Sequence, residues 1–360
     1  MHKIVYLPLA AEVRVTAFMD ANNNGEFAVN ESGYAGVRFY LLNDSDEAVS
    51  AGESGADGLV VLQAPEAGKY HIRAVLPSGL IFAKKGNKTA GNFSCMGLSA
   101  EGIQDSDSFD LKAGEILEKS VGIQTGLTVS GICWLDENGD GIMGSGEPRI
   151  AGARITMIGQ KNGLEFEVYS DENGEWSFDR IRAGFYDFTS YAPEGMMFTR
   201  YSKTGGKNRS IFTTEGKTKI TKTLDTNDGK SVSDQNIGFA WAAEVSGMCF
   251  LDANYNGMYD EGELPLANVK VTAIKQVKDE EVAVTYSGED GRYTLSGLRG
   301  NTFKIRAVLP DDGSVFTADV SDPLGNHFKA REGRRENFWT DFVIEDGKQY
   351  QVNIGAIYYG

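Results

Sequence analysis

D-E-N-G-D-G-I-M-G-S-G-E, residues Asp136 to Glu147, sets an oxygen-bearing side chain at positions 1, 3, 5 and 12 of a twelve-residue stretch and a glycine at position 6. The same frame is written twice more, as D-A-N-N-N-G-E-F-A-V-N-E from Asp20 to Glu31 and as D-A-N-Y-N-G-M-Y-D-E-G-E from Asp252 to Glu263. The copies begin 116 residues apart. A fixed period of that length divides the 360 residues into three domain-sized repeats, each long enough to bury its own core.

Calcium is a hard cation that takes about six to eight oxygens, and a loop of this length supplies them from positions 1, 3 and 5, a backbone carbonyl at 7, often a water at 9 and a bidentate Glu at 12. Gly at position 6 allows the sharp turn. In the second copy those places are Asp136, Asn138, Asp140, the carbonyl of Ile142, and Glu147; in the third they are Asp252, Asn254, Asn256, the carbonyl of Met258, Asp260 and Glu263. The first copy has Asp20, Asn22, Asn24, the carbonyl of Glu26, and Glu31. Asp, Asn and Gly also make ordinary turns. Three matches at one interval select Ca2+ as the expected ligand.

An EF-hand needs a helix on either side of such a loop. Here Val13 to Phe18 and Gly36 to Leu42 flank the first copy, Val129 to Leu135 and Ala153 to Ile158 the second, and Val245 to Leu251 and Val269 to Ile274 the third. All alternate with period two or run β-branched and aromatic, the pattern of strands. A loop between strands has no helix pair to swing open, so the ion is expected to act as a structural staple rather than a sensor.

After each loop the chain writes a strand, a polar stretch and a turn marked Asp57-Gly58, Asn173-Gly174 or Asp290-Gly291, read as tight type I′ turns. Alternating strands follow, including the hexapeptide I-R-A-V-L-P at Ile72 to Pro77 and again at Ile305 to Pro310. Each repeat closes on Val121-Gly122-Ile123, Ile237-Gly238-Phe239 or Ile354-Gly355-Ala356. Short strands with Gly, Asn and Asp punctuation and no helical period indicate an all-β chain, an antiparallel sandwich of about seven strands per repeat. The expected divisions are residues 11–125, 126–241 and 242–360. Residues 1–10 read as the end of a preceding repeat or a leader, because Ala10-Ala11-Glu12-Val13 matches Ala242-Ala243-Glu244-Val245 and residues 4–9 then stand where a closing strand would lie. The repeats differ most over Gly86 to Ile103, Ser202 to Gly216 and Asp319 to Glu336.

Acidic residues outnumber basic ones by 51 to 35, a net charge of −16, with no Lys/Arg cluster, which argues against nucleic acid and anionic membranes as partners. No apolar run approaches the ~18 residues of a membrane span. Cys133 and Cys249 occupy equivalent places in different repeats and Cys95 lies in the first, so small buried apolar side chains are expected rather than a disulfide framework.

G-I-C-W-L-D-E-N-G-D-G-I-M-G-S-G-E-P-R-I-A-G-A-R-I (Gly131 to Ile155), D-E-N-G-E-W-S-F (Asp171 to Phe178) and N-I-G-F (Asn236 to Phe239) resemble the B repeats of serine-aspartate repeat surface proteins of Gram-positive bacteria, and the likeness recurs over all three repeats. The resemblance implies a tandem array of three prealbumin-like, immunoglobulin-like β-sandwiches with EF-hand-like calcium loops, the loop residues above being the ligands. It also implies calcium-dependent rigidity and a monomeric stalk at the cell surface or in the secreted space, presenting an adhesive domain. A host extracellular protein or polysaccharide would then be bound by another part of the parent protein. The chain lacks a serine-aspartate tract, a cell-wall sorting signal and an adhesin domain, so the resemblance does not carry target binding to this segment. Asp105-Ser106-Asp107 resembles a further D-x-D calcium element, with a solvated loop as the alternative. A related group staples itself by a Lys to Asn isopeptide bond; Asn236 and Asn353 stand on the closing strands, but Val129 to Leu135 and Val245 to Leu251 contain no Lys.

For an enzyme, the chain offers only His2, His71 and His327 at unrelated repeat positions and no catalytic constellation. A carbohydrate-binding or protein-binding sandwich is the rival reading. Its sugar-stacking candidates are Trp176, Trp241, Trp339 and the Tyr358-Tyr359 pair, against core burial of the same rings.

Overall fold

The computed structural model describes residues 10–87, 91–212, 216–320, 322, 325–328 and 334–358. His2, Tyr359 and the strand expected over residues 4–9 lie outside them. Each repeat opens on a long strand: Ala11–Met19, Leu127–Leu135 and Ala243–Leu251. In the first of these, Val13, Val15 and Ala17 are buried and alternate with Glu12, Arg14 and Thr16, so one face is committed to the core.

The opening strand lies in the middle of its sheet. On one side it pairs antiparallel with the strand that follows the glycine turn, Val13 opposite Leu62, Val129 opposite Phe178 and Val245 opposite Leu295. On the other it pairs parallel with the closing strand, Ala17 opposite Val121, Cys133 opposite Ile237 and Cys249 opposite Ile354. The sandwich is as expected, but this sheet is mixed rather than purely antiparallel. Period-two alternation reports which face is buried, not which way a neighbour runs, and here the whole repeat is the crossover that a parallel pair requires. A short strand (Leu80–Phe82, Met196–Phe198 or Ser314–Phe316) flanks the closing strand.

The second sheet packs across the core and is antiparallel, built in the second repeat from Glu165–Tyr169, Arg154–Gly159, Phe185–Tyr191 and Lys219–Asp225 in that order. Three cores share no residue: they span positions 11 to 123, 129 to 239 and 243 to 356. Aromatic rings fill the second, where Trp176 packs against Phe178 and Phe188. Between repeats, one residue separates closing strand from opening strand, Gly126 after Thr125 and Ala242 after Trp241.

The glycine turns differ from the type I′ expectation. Gly58, Gly174 and Gly291 have φ of +81°, +71° and +76°, whereas the Asp or Asn before each is not left-handed. Gly58 N donates to Gly55 O and Gly55 N to Leu59 O, a type I turn followed by a left-handed glycine. The glycine is needed twice over, because a Cβ on Gly58 would also run into the Ala17 carbonyl of the opening strand.

Candidate metal centres at the loop end of each repeat

Each twelve-residue loop is pinned at its base by the closing strand. Asp20 N donates to Ile123 O at 2.9 Å, Asp136 N to Phe239 O at 2.7 Å and Asp252 N to Ala356 O at 2.8 Å. Above the base, the oxygen side chains organise the loop backbone identically in all three copies. Asp136 Oδ1 accepts from Asp140 N at 3.1 Å and Oδ2 from Gly141 N at 2.8 Å; Asn138 Oδ1 accepts from Asp140 N and Asp140 Oδ1 from Ile142 N. Glu147 reaches back across the loop, accepting from Glu137 N and Gly144 N. Asp20, Asn22, Asn24 and Glu31 make the corresponding bonds in the first loop. Asp252, Asn254, Asn256 and Glu263 do so in the third.

Positions 4 and 6 are left-handed in every loop: Asn23 and Gly25, Gly139 and Gly141, Tyr255 and Gly257. At position 6 only glycine fits, since a Cβ there would strike the carbonyl of Lys84, Arg200 or Ala318. Position 7 is held by the segment that varies most between repeats, through isolated bridges pairing Glu26 with Phe93, Ile142 with Arg209 and Met258 with Gly325. Gly25 O accepts from Ser94 N and Gly257 O from Asn326 N. The Glu26 side chain reaches Asn92.

The first aspartate of each loop is buried, with Asp20 0%, Asp136 2% and Asp252 3% exposed. No Lys or Arg among the described residues forms an ion pair with any of them. A buried carboxylate is normally paired with a cation or ligates a metal. The donor set is all oxygen, carboxylate, amide and carbonyl, which suits a hard cation. Among the described residues no three His, Cys, Asp or Glu side chains converge into a cage; amide or backbone oxygens make up three of the five donors in the first loop, two of five in the second and three of six in the third, and the carboxylates are turned onto backbone N–H groups. In the third loop Asp260 accepts from Asn254 Nδ2 and Asn256 Nδ2, and these bonds, that from Asn254 first, hold its carboxyl below the usual range.

One partner was missed by reading the loops alone. Thr199 Oγ1 donates to Asp136 Oδ2, and Thr317 Oγ1 donates to Asp252 Oδ2 at 2.5 Å. Both threonines follow the phenylalanine that ends a short flanking strand, so the recurring F-T at Phe198 and Phe316 was the available signal; the first repeat has Phe82-Ala83 there.

The sequence profile of the SdrD B-like domain matches residues 128–239 and 243–329, just over half of the chain. The chain belongs to the SdrD B-like domain family. Serine-aspartate repeat-containing protein D of Staphylococcus aureus (strain MW2) is 25% identical over 333 residues, covering 89% of this chain and 23% of that protein. Serine-aspartate repeat-containing protein F of Staphylococcus epidermidis is 22% identical, over 81% of this chain and 17% of its own length. The chain thus spans about a quarter or less of the curated relatives it matches. Among solved structures it is similar to a streptococcal ancillary pilin, with 12% identity, a TM-score of 0.31 and coverage of 96% of this chain and 98% of that one, a likeness too loose to argue from. The minor pilin of Streptococcus agalactiae gives 14% identity and a TM-score of 0.30, over 65% of this chain and 97% of that one.

The other candidates in these B-like domains have structural employment. Asp105 is held by Arg73 through two 2.7 Å bonds and Asp107 by Lys85 at 2.5 Å, so both carboxylates of the D-x-D element are engaged in surface ion pairs. Arg73 holds the Asp105 carboxyl below its usual range. Asn236 Oδ1 accepts from Ile132 N and Asn353 Oδ1 from Met248 N, tying each closing segment to its opening strand by hydrogen bonds. His71 faces Asp46 and Asp105 on the surface, and burial lowers the His327 pKa while its ring stacks on Trp339. Trp176 is buried in the second core, and Trp339 lies between His327 and Phe342. Trp241 is exposed at the second junction and Tyr358 at the far end of the third repeat, so these rings do not form one platform. Cys133 and Cys249 are core side chains whose thiols burial pushes up to about 12. No helix among the described residues is long and apolar enough to cross a membrane.

Proposed function

We propose that this chain is a calcium-stapled spacer of a bacterial cell-surface protein, three B-like domains in line that hold another part of the parent away from the cell. The single observation that carries the reading is the buried first carboxylate, Asp20, Asp136 or Asp252, set without a cationic side-chain partner in an all-oxygen loop that recurs in each repeat. Ca2+ bound there supplies the missing positive charge and ties loop tip to loop base through the oxygens named above. The chain's own residues do the rest. Backbone N–H groups aim the carboxylates, two left-handed residues fold the loop over, and the closing strand anchors it. The junctions support the spacer role, because a single residue joins a closing strand to the next opening strand and leaves little freedom for independent tumbling. The relatives by sequence are serine-aspartate repeat-containing proteins of staphylococci, the group from whose resemblance the surface stalk was expected.

Small-angle scattering of the chain in calcium tests it. Domains of about 100 residues have a radius of gyration near 13 Å, so three in line extend to roughly 100 Å, whereas one globule of this length has a radius of gyration of about 21 Å. An elongated profile that slackens on adding chelator is expected. A compact particle in calcium contradicts the spacer.

A further inference from the structure

Two arginines occupy the same place in consecutive repeats. Ile181 pairs with Leu127 and Leu298 with Ala243, and the residue after each is Arg182 or Arg299. Both are buried, at 8% and 5% exposure, and both reach backwards into the preceding repeat. Arg182 Nη2 donates to the carbonyl of Phe82; Arg299 Nη2 lies 3.4 Å from Thr199 Oγ1. Phe82 and Phe198 end equivalent strands, so the two arginines enter equivalent sockets.

The sockets lie beside the loops. A cavity of about 640 Å³ at the first junction is lined by Asp20 and Asn23 on one side and Arg182 on the other. One of about 560 Å³ at the second has Asn138 and Gly139 facing Arg299 and Asp346. In the second junction the contact continues inward. The Thr199 hydroxyl has one proton, which goes to Asp136 Oδ2, so the hydroxyl oxygen is the acceptor for Arg299. Asp346, 3.1 Å from Arg299 and itself bonded to Gly300 N, balances the guanidinium charge and stiffens the plug. A balanced plug can sit next to a cation loop without repelling its ion.

We propose that Arg299, acting through Thr199 on Asp136, couples the seating of the third repeat to cation binding by the second loop. Arg299 and Thr199 are positioning residues: seating the plug fixes the hydroxyl, and the hydroxyl fixes the first ligand. Such outer partners change metal affinity about 10- to 100-fold when removed. Coupling is reciprocal, so the ion tightens the junction by the factor by which the junction tightens the ion. The first junction has the latch without the relay, because Ala83 offers no hydroxyl and Arg182 bonds to backbone. This rests on the calcium reading of the loops.

The test uses the full chain with nitroxides introduced by Lys161→Cys and Lys278→Cys, on the second and third repeats, and pulsed-EPR distances in calcium and in chelator. Calcium titration is run with the first and third loops disabled by Glu31→Gln and Glu263→Gln. The unsubstituted junction is expected to give a narrow distance distribution in calcium and a broad one in chelator. Thr199→Val should make the two equally broad and weaken the second loop about tenfold, and Thr199→Ser should restore both. If Thr199→Val does not fold, Arg299→Met with Asp346→Asn breaks the relay at its other end and should give the same pair of losses. Calcium binding with narrowing that survives these variants overturns the coupling alone. No calcium binding by the second loop of the parent overturns the loop reading and the coupling together.

Discussion

Thr317 Oγ1 lies 2.5 Å from Asp252 Oδ2 and donates its proton to it, a bond that Thr199 makes to Asp136 and that Ala83 cannot make to Asp20. The first loop is therefore short of an outer partner as well as of charge, having only Asp20 and Glu31 as charged ligands and Ala28 at position 9. Affinity follows ligand charge and site rigidity. In chains where two loops at a time are disabled at position 12, the first loop should bind calcium most weakly, and Ala83→Thr should strengthen it. Finding the first loop tightest would mean that neither charge nor the hydroxyl ranks the sites.

Gly238 leaves room for the ring of Trp134, since a Cβ there would sit 2.6 Å from Trp134 Cζ2 and 2.5 Å from Thr199 Cγ2. Overpacking of this kind costs about 1–3 kcal/mol. Gly238→Ala should lower the melting temperature of the second repeat, and differential scanning calorimetry would show one of the transitions moving down alone. A melt that does not move would mean that Trp134 can shift without cost.

Asn236 holds the opening strand at Ile132 N with its Oδ1, 2.9 Å away, and Lys207 O with its Nδ2 at 2.8 Å. Asn236→Ala leaves the Ile132 N–H and the Lys207 carbonyl without these partners, at a cost of about 1–3 kcal/mol for a buried group left unsatisfied. Urea unfolding should show that loss, with Asn353→Ala doing the same in the third repeat through Met248 N.

Burial raises the thiols of Cys133 and Cys249 from 9.0 to about 12. A folded-state value above the unfolded one contributes stability that is complete below pH ~9 and is lost as pH rises toward 12. The loss is on the order of 1 kcal/mol per pH unit for each thiol. Tyr293, buried in the third core, is pushed the same way but starts from a higher unfolded value, so the thiols set the onset. The melting temperature should fall between pH 8 and pH 10.5, and Cys133→Ala should flatten the slope for the second repeat even though it lowers stability at pH 8.

The loops and strands were legible because their signals are local. Gly25, Gly141 and Gly257 are demanded by a left-handed turn within the loop, and the alternation of Val13, Val15 and Ala17 shows its buried face within one strand. The parallel pairing of Ala17 with Val121 was not legible, since alternation carries no direction. Nor were the supports of the loop, which come from far along the chain and change residue type. The N–H of the closing glycine is met by Ser94 in the first repeat, Ser210 in the second and Asn326 in the third. Arg182 and Arg299 look like ordinary turn cations until the preceding repeat is seen to bury them.

Isothermal titration of the chelator-stripped chain with calcium tests the central claim most directly, alongside the triple variant Glu31→Gln, Glu147→Gln, Glu263→Gln. Three sites, a melting temperature that rises with calcium by the equivalent of about 2.7 kcal/mol at a hundredfold excess over Kd, and loss of both in the triple variant are predicted. No binding heat and an unchanged melt, or binding that survives in the triple variant, would contradict it.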